Sequence, residues 1–600
     1  MISEEIKKII IKVVEKLDLP KVEFGVEHPA EEEHGDFATN VAMVVAQQTG
    51  KNPKQLAELI KEKMGKSEVV DRVEVAGPGF INFYLSEQFL LREIKRVLQE
   101  EDEFGWNEEM RGKKVCVEYT DPNPFKEFHI GHLYSNVIGE STARMFEAGG
   151  AKVWRADFYG DVGMHVAKSI WGIRQKMTQE NISLEELKQW PGDKRQNFLG
   201  QGYALGANQY EEDKQAQDGI KELNKLIFVA GQEYLKKTKK WQPVIDYRKF
   251  IEGRERELEE VQPLYEAGLE WSLAYFETFY RRLGTKFDGY YPESWVGEYG
   301  MKLVEKGLQK GVLVKSQGAV VFAGEKYGLH TRVFVNKHGL PTYEAKDLGL
   351  AQAKFADFKF DRSINVFGRE IDEYYKVVRT AMKLIEPELG EKSEHLAHGM
   401  VKLPEGKMSS RTGNVITVEW LLDEVKQRVL KIMKDGPTSH KATQDTAEIV
   451  GQGAVKYALL KSSIGQDIIF DFDKSVSLEG NSGPYLQYTY ARAKSVLRKS
   501  GNAPSDPPLK LRGGRGELNT EELAILRWLY RFPEVVAEAG KRYEPSQICT
   551  YLYDLAQRFN TFYNKHAILG SQFRLALTAA VGQVVKNGLW LLGIKSPEKM

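Results

Sequence analysis

Two hydrophobic periods alternate along the chain, and the switches between them mark its organisation. Ile6, Ile9, Ile10, Val13, Val14 and Leu17 recur at spacings of three and four, which predicts an amphipathic helix with Ser3 as its N-cap. Asn52-Pro53-Lys54-Gln55 predicts a second helix, with a cap, a first-turn proline and a glutamine placed for a capping box. Residues 69–75 and 80–85 alternate as strands around Gly77-Pro78-Gly79. Together these elements predict a compact α+β unit over residues 1–110.

Residues 113–119 form a short apolar run that reads as a strand. A loop rich in Pro and Asn follows, then His129-Ile130-Gly131-His132, then a helical pattern to about Ala148. Strand, loop, glycine and helix in that order make the phosphate-binding half of an α/β nucleotide fold. Residues 175–290 are charged and helical and read as an insertion into that fold. Strand patterns return at 318–322, 331–335 and 363–367. Residues 410–480 are mostly helical. Pro504, Pro507, Pro508 and Gly513-Gly514 mark a polar surface loop. From Thr520 to Leu592 the pattern is helical and rich in aromatic residues. The expected division is 1–110, 111–405 with the insertion, 406–480 and 481–600.

Composition narrows the class. Hydrophobic residues are 42% and charged residues 28% of 600, which excludes a disordered or collagen-like chain. Two cysteines, Cys116 and Cys549, exclude a disulfide scaffold and a Cys-rich zinc site, and suit a reducing compartment. No apolar run approaches the ~18 residues of a membrane span. The N-terminus is acidic and then amphipathic, unlike a signal peptide. A cytoplasmic protein without a membrane partner is expected. Net charge is zero, yet residues 485–600 carry +8, which points to an anionic partner for that segment; chance variation of surface charge is the other reading.

Two stretches carry candidate chemistry. His129 and His132, one helical step apart at a helix start, place two imidazoles beside N–H groups and a helix dipole. Such a site stabilises a crowded, highly charged phosphoryl transition state by electrostatics alone. Gly131 leaves bare backbone against which a flat base can lie. A pair of capping histidines in a structural turn is the competing explanation. The second stretch is Lys407-Met408-Ser409-Ser410-Arg411, in a polar loop beginning Pro404-Glu405-Gly406. Lys, Arg and hydroxyls there suit the β,γ-phosphates, although alone it reads as a basic solvated loop.

The pair, in this order, resembles the two signatures of class I aminoacyl-tRNA synthetases. Residues 121–132, Asp-Pro-Asn-Pro-Phe-Lys-Glu-Phe-His-Ile-Gly-His, resemble the arginyl-tRNA synthetase version in particular. Gly35-Asp36-Phe37-Ala38-Thr39-Asn40 and Pro78-Gly79-Phe80-Ile81-Asn82-Phe83 resemble that family's N-terminal domain. Thr342-Tyr343-Glu344-Ala345-Lys346-Asp347 resembles its amino-acid pocket, and Gly483-Pro484-Tyr485-Leu486-Gln487-Tyr488 the entry to its anticodon-binding bundle. The resemblance spans nearly the whole chain. It implies a multidomain α/β protein: a Rossmann-like catalytic core with a helical insertion, an N-terminal α+β domain and a C-terminal all-α anticodon-binding bundle.

The resemblance also implies the reaction: arginine, ATP and tRNA(Arg) give arginyl-tRNA, AMP and pyrophosphate, with tRNA needed for the first step. Mg²⁺ enters with the ATP, no structural metal is implied, and the family is often monomeric. Glu118, Asn123, His129, Tyr343 and Asp347 match positions that contact arginine. Carboxylates suit a planar cation with five donors, and Tyr343 and Asp347, four apart, share a helix face. His129, Gly131, His132, Met408, Ser409, Ser410 and Arg411 match the ATP site. Ser410 stands where class I loops carry a second lysine. A lysine before the histidine motif is held to substitute, so Lys126 and Lys407 are the expected phosphate contacts. Where the family places a pocket glutamine this chain reads Phe367-Gly368-Arg369-Glu370-Ile371, and Glu370 is the candidate. Phe80, Asn82 and Tyr485 are the tRNA-contact candidates; a core Phe beside a surface Asn is the alternative for the first two.

His395 and His398, three apart, are read as an incidental pair rather than ligands of ATP. Glu31-Glu32-Glu33-His34 is read as a solvated run. Three rival functions remain consistent with the sequence: a small-molecule nucleotidyltransferase sharing the histidine site, a tRNA-binding relative without catalysis, and a class I synthetase for another amino acid, lysine included.

Overall fold

In this computed structural model residues 2–65, 67–239, 243, 245–404, 417–435, 443–501 and 518–600 are described. The chain begins with helix α1 (Ile2–Lys16), strands β1 (Val26–Glu27) and β2 (Phe37–Thr39), helices α2 (Val41–Thr49) and α3 (Pro53–Lys63), and strands β3 (Val70–Ala76) and β4 (Phe80–Leu85). The strands form an antiparallel sheet in the order β1-β2-β4-β3, and α1 buries Ile6, Ile10, Val13 and Val14. Ser3 does not cap α1. The helix already includes Ile2, and the Ser3 hydroxyl donates instead to Glu534, 3.1 Å away. Asn52 does cap α3, accepting from the Gln55 amide; that one bond is the cap, and the glutamine side chain makes no return bond among those of the described residues. Helix α4 (Glu87–Glu100) leads into the next region.

A five-stranded parallel sheet follows, ordered β12-β11-β5-β6-β7: Ser393–His398, Arg362–Gly368, Lys114–Glu118, Lys152–Tyr159 and Gly289–Pro292. Helix α5 (Ile130–Ala148) crosses from β5 to β6. It lies so close to the strand end that a Cβ on Gly139 would sit 2.2 Å from the Tyr119 ring. The crevice beyond the C-terminal ends of these strands is where open α/β sheets bind ligands.

Between β6 and β7 the chain runs through helices α6 (Met164–Glu180), α7 (Leu184–Lys188), α8 (Gly192–Glu212), α9 (Lys214–Lys239) and α10 (Glu255–Leu283), which share their own apolar cluster. The helical run therefore starts before residue 175 and ends before 289. Helix α11 (Glu293–Gln309) then leads to β8 (Val314–Ser316), β9 (Ala319–Phe322) and β10 (Arg332–Val335). Two of the strands expected from the sequence, 318–322 and 331–335, thus lie in a separate antiparallel sheet, order β10-β9-β8. Helix α12 (Tyr343–Phe358) follows, and α13 (Asp372–Ile385) and α14 (Pro387–Lys392) join β11 to β12.

Two short parallel strands, β13 (Val401–Lys402) and β14 (Ile468–Ile469), flank helices α15 (Val418–Asp435) and α16 (Gln444–Leu460). The remainder is helical: α17 (Phe472–Val476), α18 (Gly483–Ser500), α19 (Thr520–Leu529), α20 (Phe532–Arg542), α21 (Pro545–Lys565) and α22 (Gln572–Leu591). This bundle touches both other regions. Buried Asp36 lies 3.2 Å from Arg527, and His28 bridges the Asp36 carbonyl at 2.7 Å and the Glu534 carboxylate at 3.0 Å. The Lys456 ammonium donates at 2.6 Å to the carbonyls of Leu283, at the end of α10, and Gly593, just past α22. One apolar cluster runs through the N-terminal sheet, the central strands and the bundle.

Candidate active site

The histidine motif sits where β5 hands the chain to α5. His129 is the N-cap and His132 the third helical residue. Backbone amides fix both rings: Gly131 N donates to His129 Nδ1 at 3.2 Å, and His129 N donates to His132 Nδ1 at 3.3 Å. A ring nitrogen that accepts an N–H carries no proton, so each neutral imidazole holds its proton on Nε2. Burial, reinforced by the Lys126 charge, lowers His129 to about 4; burial first, then the adjoining His129 ring and the Lys126 charge, push His132 well below its usual value. The rings stack with centroids 3.6 Å apart, and His132 also packs on Phe128. The pair is therefore a fixed set of neutral donors at a helix N-terminus, not two cations. Gly131 has a second reason to be glycine: a Cβ there would lie 3.0 Å from His129 Cε1, so the residue makes room for the folded-back ring.

The insertion holds the loop before the motif. Gln196 of α8 donates to the Lys126 carbonyl at 2.7 Å, and Ser272 of α10 accepts from the Phe125 amide at 2.9 Å. Lys126 itself places its ammonium 4.2 Å from the centre of the Tyr203 ring. Lys407, Met408, Ser409, Ser410 and Arg411 lie outside the described residues. Their far flank is tied to the histidines: Thr417 bridges to His129, and the Val418 amide donates to the Phe128 carbonyl at 2.9 Å.

Beside the motif lies a cavity of about 400 Å³, in the size range of small-molecule sites. Glu118, Asp121, Asn123, Tyr343 and Asp347 line it, with Phe158, Phe367, Ile371, Tyr374 and Tyr375 among its apolar walls. The structure thus brings four of the five expected arginine-contact residues to one cavity; the fifth, His129, is not among its lining residues and follows Asn123 by six positions along the same loop. Glu118, at the end of β5, is 4% exposed. It forms a buried ion pair with Lys354, which also donates to Asn365 on the neighbouring strand at 3.0 Å. Asp347 accepts from the Tyr374 hydroxyl at 2.6 Å, and burial together with the nearby acids raises it to about 7. Asp121 accepts from the Phe158 amide at 3.3 Å and is pushed well above the carboxylate range by burial and by Glu118 and Asp157. Glu293, also on the cavity wall, is ion-paired with buried Lys346. Glu370 does not line the cavity; its neighbour Ile371 does, so the stretch contributes an apolar side chain.

Sequence reasoning missed Asp121, Lys354 and Tyr374. Lys354 lies 236 residues from Glu118, and no local pattern links them. Asp121 carried a signal, since a carboxylate two residues before Asn123 in a loop after a strand end is placed for binding.

Phe80 and Asn82 share one face of β4 and line a second cavity, of about 590 Å³, with His28, His34 and Asn40. Phe80 is 40% exposed and Asn82 only 4%, the reverse of a core Phe beside a surface Asn. Tyr485, half-buried on α18, accepts from Asn560 at 3.0 Å, while Arg492 stacks over Tyr488 and Tyr563 at 4.7 Å each. His395 and His398 lie on β12, where residues three apart point to opposite faces. His395 pairs with Asp372 and stacks on Phe367, whereas His398 bonds the Ser135 hydroxyl at 2.7 Å, so they share no ligand. In the N-terminal charge run the turn gives His34 the near carboxylates that its spacing did not promise. Among the described residues, Glu31, Glu33 and His34 bring ligand atoms within 4.8 Å of one another, all exposed.

No helix among the described residues is long and apolar enough to cross a membrane. Residues 93–472 match the family of class I (R) tRNA synthetase catalytic domains, 1–85 the arginyl-tRNA synthetase N-terminal domain, and 486–600 the DALR anticodon-binding domain. The chain is 32% identical to the arginine–tRNA ligase of Fusobacterium nucleatum, over 100% of this chain and 99% of that one. It is also 32% identical to that of Clostridium acetobutylicum, over the same shares. The solved structure of Thermus thermophilus arginyl-tRNA synthetase has the same fold, with a TM-score of 0.77 and 24% identity over the full length of both chains. A neutral-imidazole pair at a helix start, an acidic cavity beside it and these matches over the whole length agree: the chain belongs to the arginyl-tRNA synthetase family of the class I aminoacyl-tRNA synthetases.

Proposed function

We propose that the chain is an arginine–tRNA ligase working in two steps. The carboxylate of L-arginine attacks the α-phosphate of ATP, giving arginyl-adenylate and pyrophosphate. The terminal ribose hydroxyl of tRNA(Arg) then attacks the mixed anhydride and releases AMP. ATP is the nucleotide substrate, and Mg²⁺ arrives bound to it. The observation that carries this reading is the pairing of an acidic cavity with fixed Nε2–H donors at the start of α5.

In this reading His129 and His132 donate to the oxygens of the α-phosphate as charge builds, with the α5 dipole adding to them. Because neither ring is protonated at neutral pH, neither loses a proton as the phosphate enters. Lys126 and Lys407 hold the leaving phosphates, and Met408, Ser409, Ser410 and Arg411 complete the nucleotide site with Gly131. Glu118, Asn123, Tyr343 and Asp347 hold arginine. Phe80 and Asn82 meet the tRNA through the N-terminal cavity. Tyr485 and its aromatic neighbours on the +8 segment meet it at the bundle. The protein acts in the cytoplasm as a monomer. A small-molecule nucleotidyltransferase would leave the units at 1–85 and 486–600 without a task.

ATP–pyrophosphate exchange with each of the twenty amino acids, with and without tRNA, tests the reading. Exchange with arginine alone, dependent on tRNA, is expected. Exchange with another amino acid would reject the pocket assignment. No exchange from folded protein that binds tRNA would favour the non-catalytic relative.

A further inference from the structure

The cavity beside the histidines holds more acid than base. Of the four acidic side chains on its wall, Glu118 is neutralised by Lys354 and Glu293 by Lys346. Asp121 and Asp347 have no basic side chain within ion-pair distance among the described residues. Each is met only by a neutral donor: the Phe158 amide for Asp121 and the Tyr374 hydroxyl for Asp347. Two unpaired carboxyls facing one cavity suit a ligand with two cationic groups. Arginine has two, the guanidinium and the α-ammonium.

The path of the chain assigns them. The α-carboxylate must reach the phosphate at His129 and His132, so the α-ammonium, borne on the same Cα, belongs at the same end. Asp121 is on that loop, eight residues before His129 and two before Asn123. Asp347 reaches the same cavity from a different element, α12, where it is held by the Tyr374 hydroxyl. The backbone supports a built position. Thr120 and Asp121 both take positive φ, 88° and 50°, a conformation that costs non-glycine residues about 1 kcal/mol or more each. Two such residues in succession turn the chain out of β5 and set the Asp121 carboxyl on the cavity wall. We infer that Asp121 is a substrate-binding residue that takes the α-ammonium of arginine, which leaves Asp347, the other unpaired acid, to the guanidinium. The inference rests on the arginine-ligase reading and names a contact within it.

The test is a thermodynamic cycle on the full chain, with affinities from calorimetry or from competition against labelled arginine. The ligands are L-arginine, agmatine, which keeps both cations, and 5-guanidinopentanoic acid, which lacks the α-amine. The proteins are wild type, Asp121→Asn and, as a second and smaller replacement, Asp121→Ser, each checked by its melting curve. Wild type should lose about tenfold or more when the α-amine is removed from the ligand. Asp121→Asn should lose about tenfold or more for arginine and agmatine yet bind 5-guanidinopentanoic acid as wild type does, within about twofold. Equal loss for all three ligands would place Asp121 at the guanidinium or in a purely structural role and overturn the assignment. No loss for any ligand would also overturn it. If wild type fails to bind arginine at all, it is the ligase reading that fails, a result distinct from either.

Discussion

The histidine end and the acidic end of the crevice lie at the same edge of the parallel sheet, and burial acts on both with different consequences. At the histidine end it lowers His129 to about 4 and pushes His132 well below its usual value, so both rings stay neutral throughout the physiological range. Two backbone amides choose the tautomer, so both Nε2–H donors are set without a ligand. At the acidic end burial raises Asp347 to about 7 and Asp121 well above the usual range. Those groups become good acceptors for a cation only when they ionise, which the cation itself favours. One end is preorganised without charge. The other is completed by its ligand. The difference teaches that the two halves of the site should answer differently to pH and to mutation.

The largest effect is expected where a charge is most deeply committed. Lys354→Met leaves Glu118 buried and unpaired, and should lower unfolding free energy by about 3–5 kcal/mol in denaturant titrations. Adding Glu118→Leu to that variant should recover most of the loss, because removing both charges removes the desolvation penalty. If the double variant is no more stable than the single, the pair is not the unit described. Next, at the other end, His129→Asn and His132→Asn should each lower the rate of pyrophosphate exchange by about 100- to 1,000-fold. Their melting temperatures and arginine affinities should stay close to wild type. A change in arginine affinity as large as the rate loss would merge the two ends into one site and end the comparison.

A smaller effect comes from pH. In the proposed reading arginine takes the ionised form of Asp347, which burial raises to about 7. Affinity should therefore be full above that pH and fall as pH drops through it, approaching about tenfold per unit. Asp347→Asn should abolish much of that slope. His129, already neutral above about 4, should add no acid limb to turnover between pH 5 and 8. The smallest effect is a control far from both ends. Asn52→Ala removes the cap of α3, and should cost about 1 kcal/mol of stability with arginine affinity unchanged.

What the sequence made legible follows the same division. The histidine end is local: strand, loop and helix are contiguous, so His129, Gly131 and His132 could be placed with their neighbours. Tyr343 and Asp347 were legible because four residues on a helix share a face. The charge balance of the cavity was not, since it depends on Lys354 and Lys346 meeting Glu118 and Glu293 across the fold. Strand β6 escaped notice because buried polar groups interrupt its apolar pattern. Arg155 pairs with Glu140 and Glu147, and Asp157 accepts from Tyr280 at 2.8 Å. Edge strand β12 escaped for a like reason, with Ser393, Glu394, His395 and His398 among its six residues. Ser3 misled in the opposite way: a good capping residue at the right place was drawn to Glu534 on the distant bundle.

The central claim is that arginine binding ionises the acidic end while leaving the histidines as they were. Calorimetric titration of the enzyme with arginine at pH 6.5, in two buffers of different ionisation heat, counts the protons exchanged on binding. Asp347 alone should release roughly 0.8 proton there, falling toward none by about pH 8.5. No proton release at pH 6.5, or net uptake, would contradict the account.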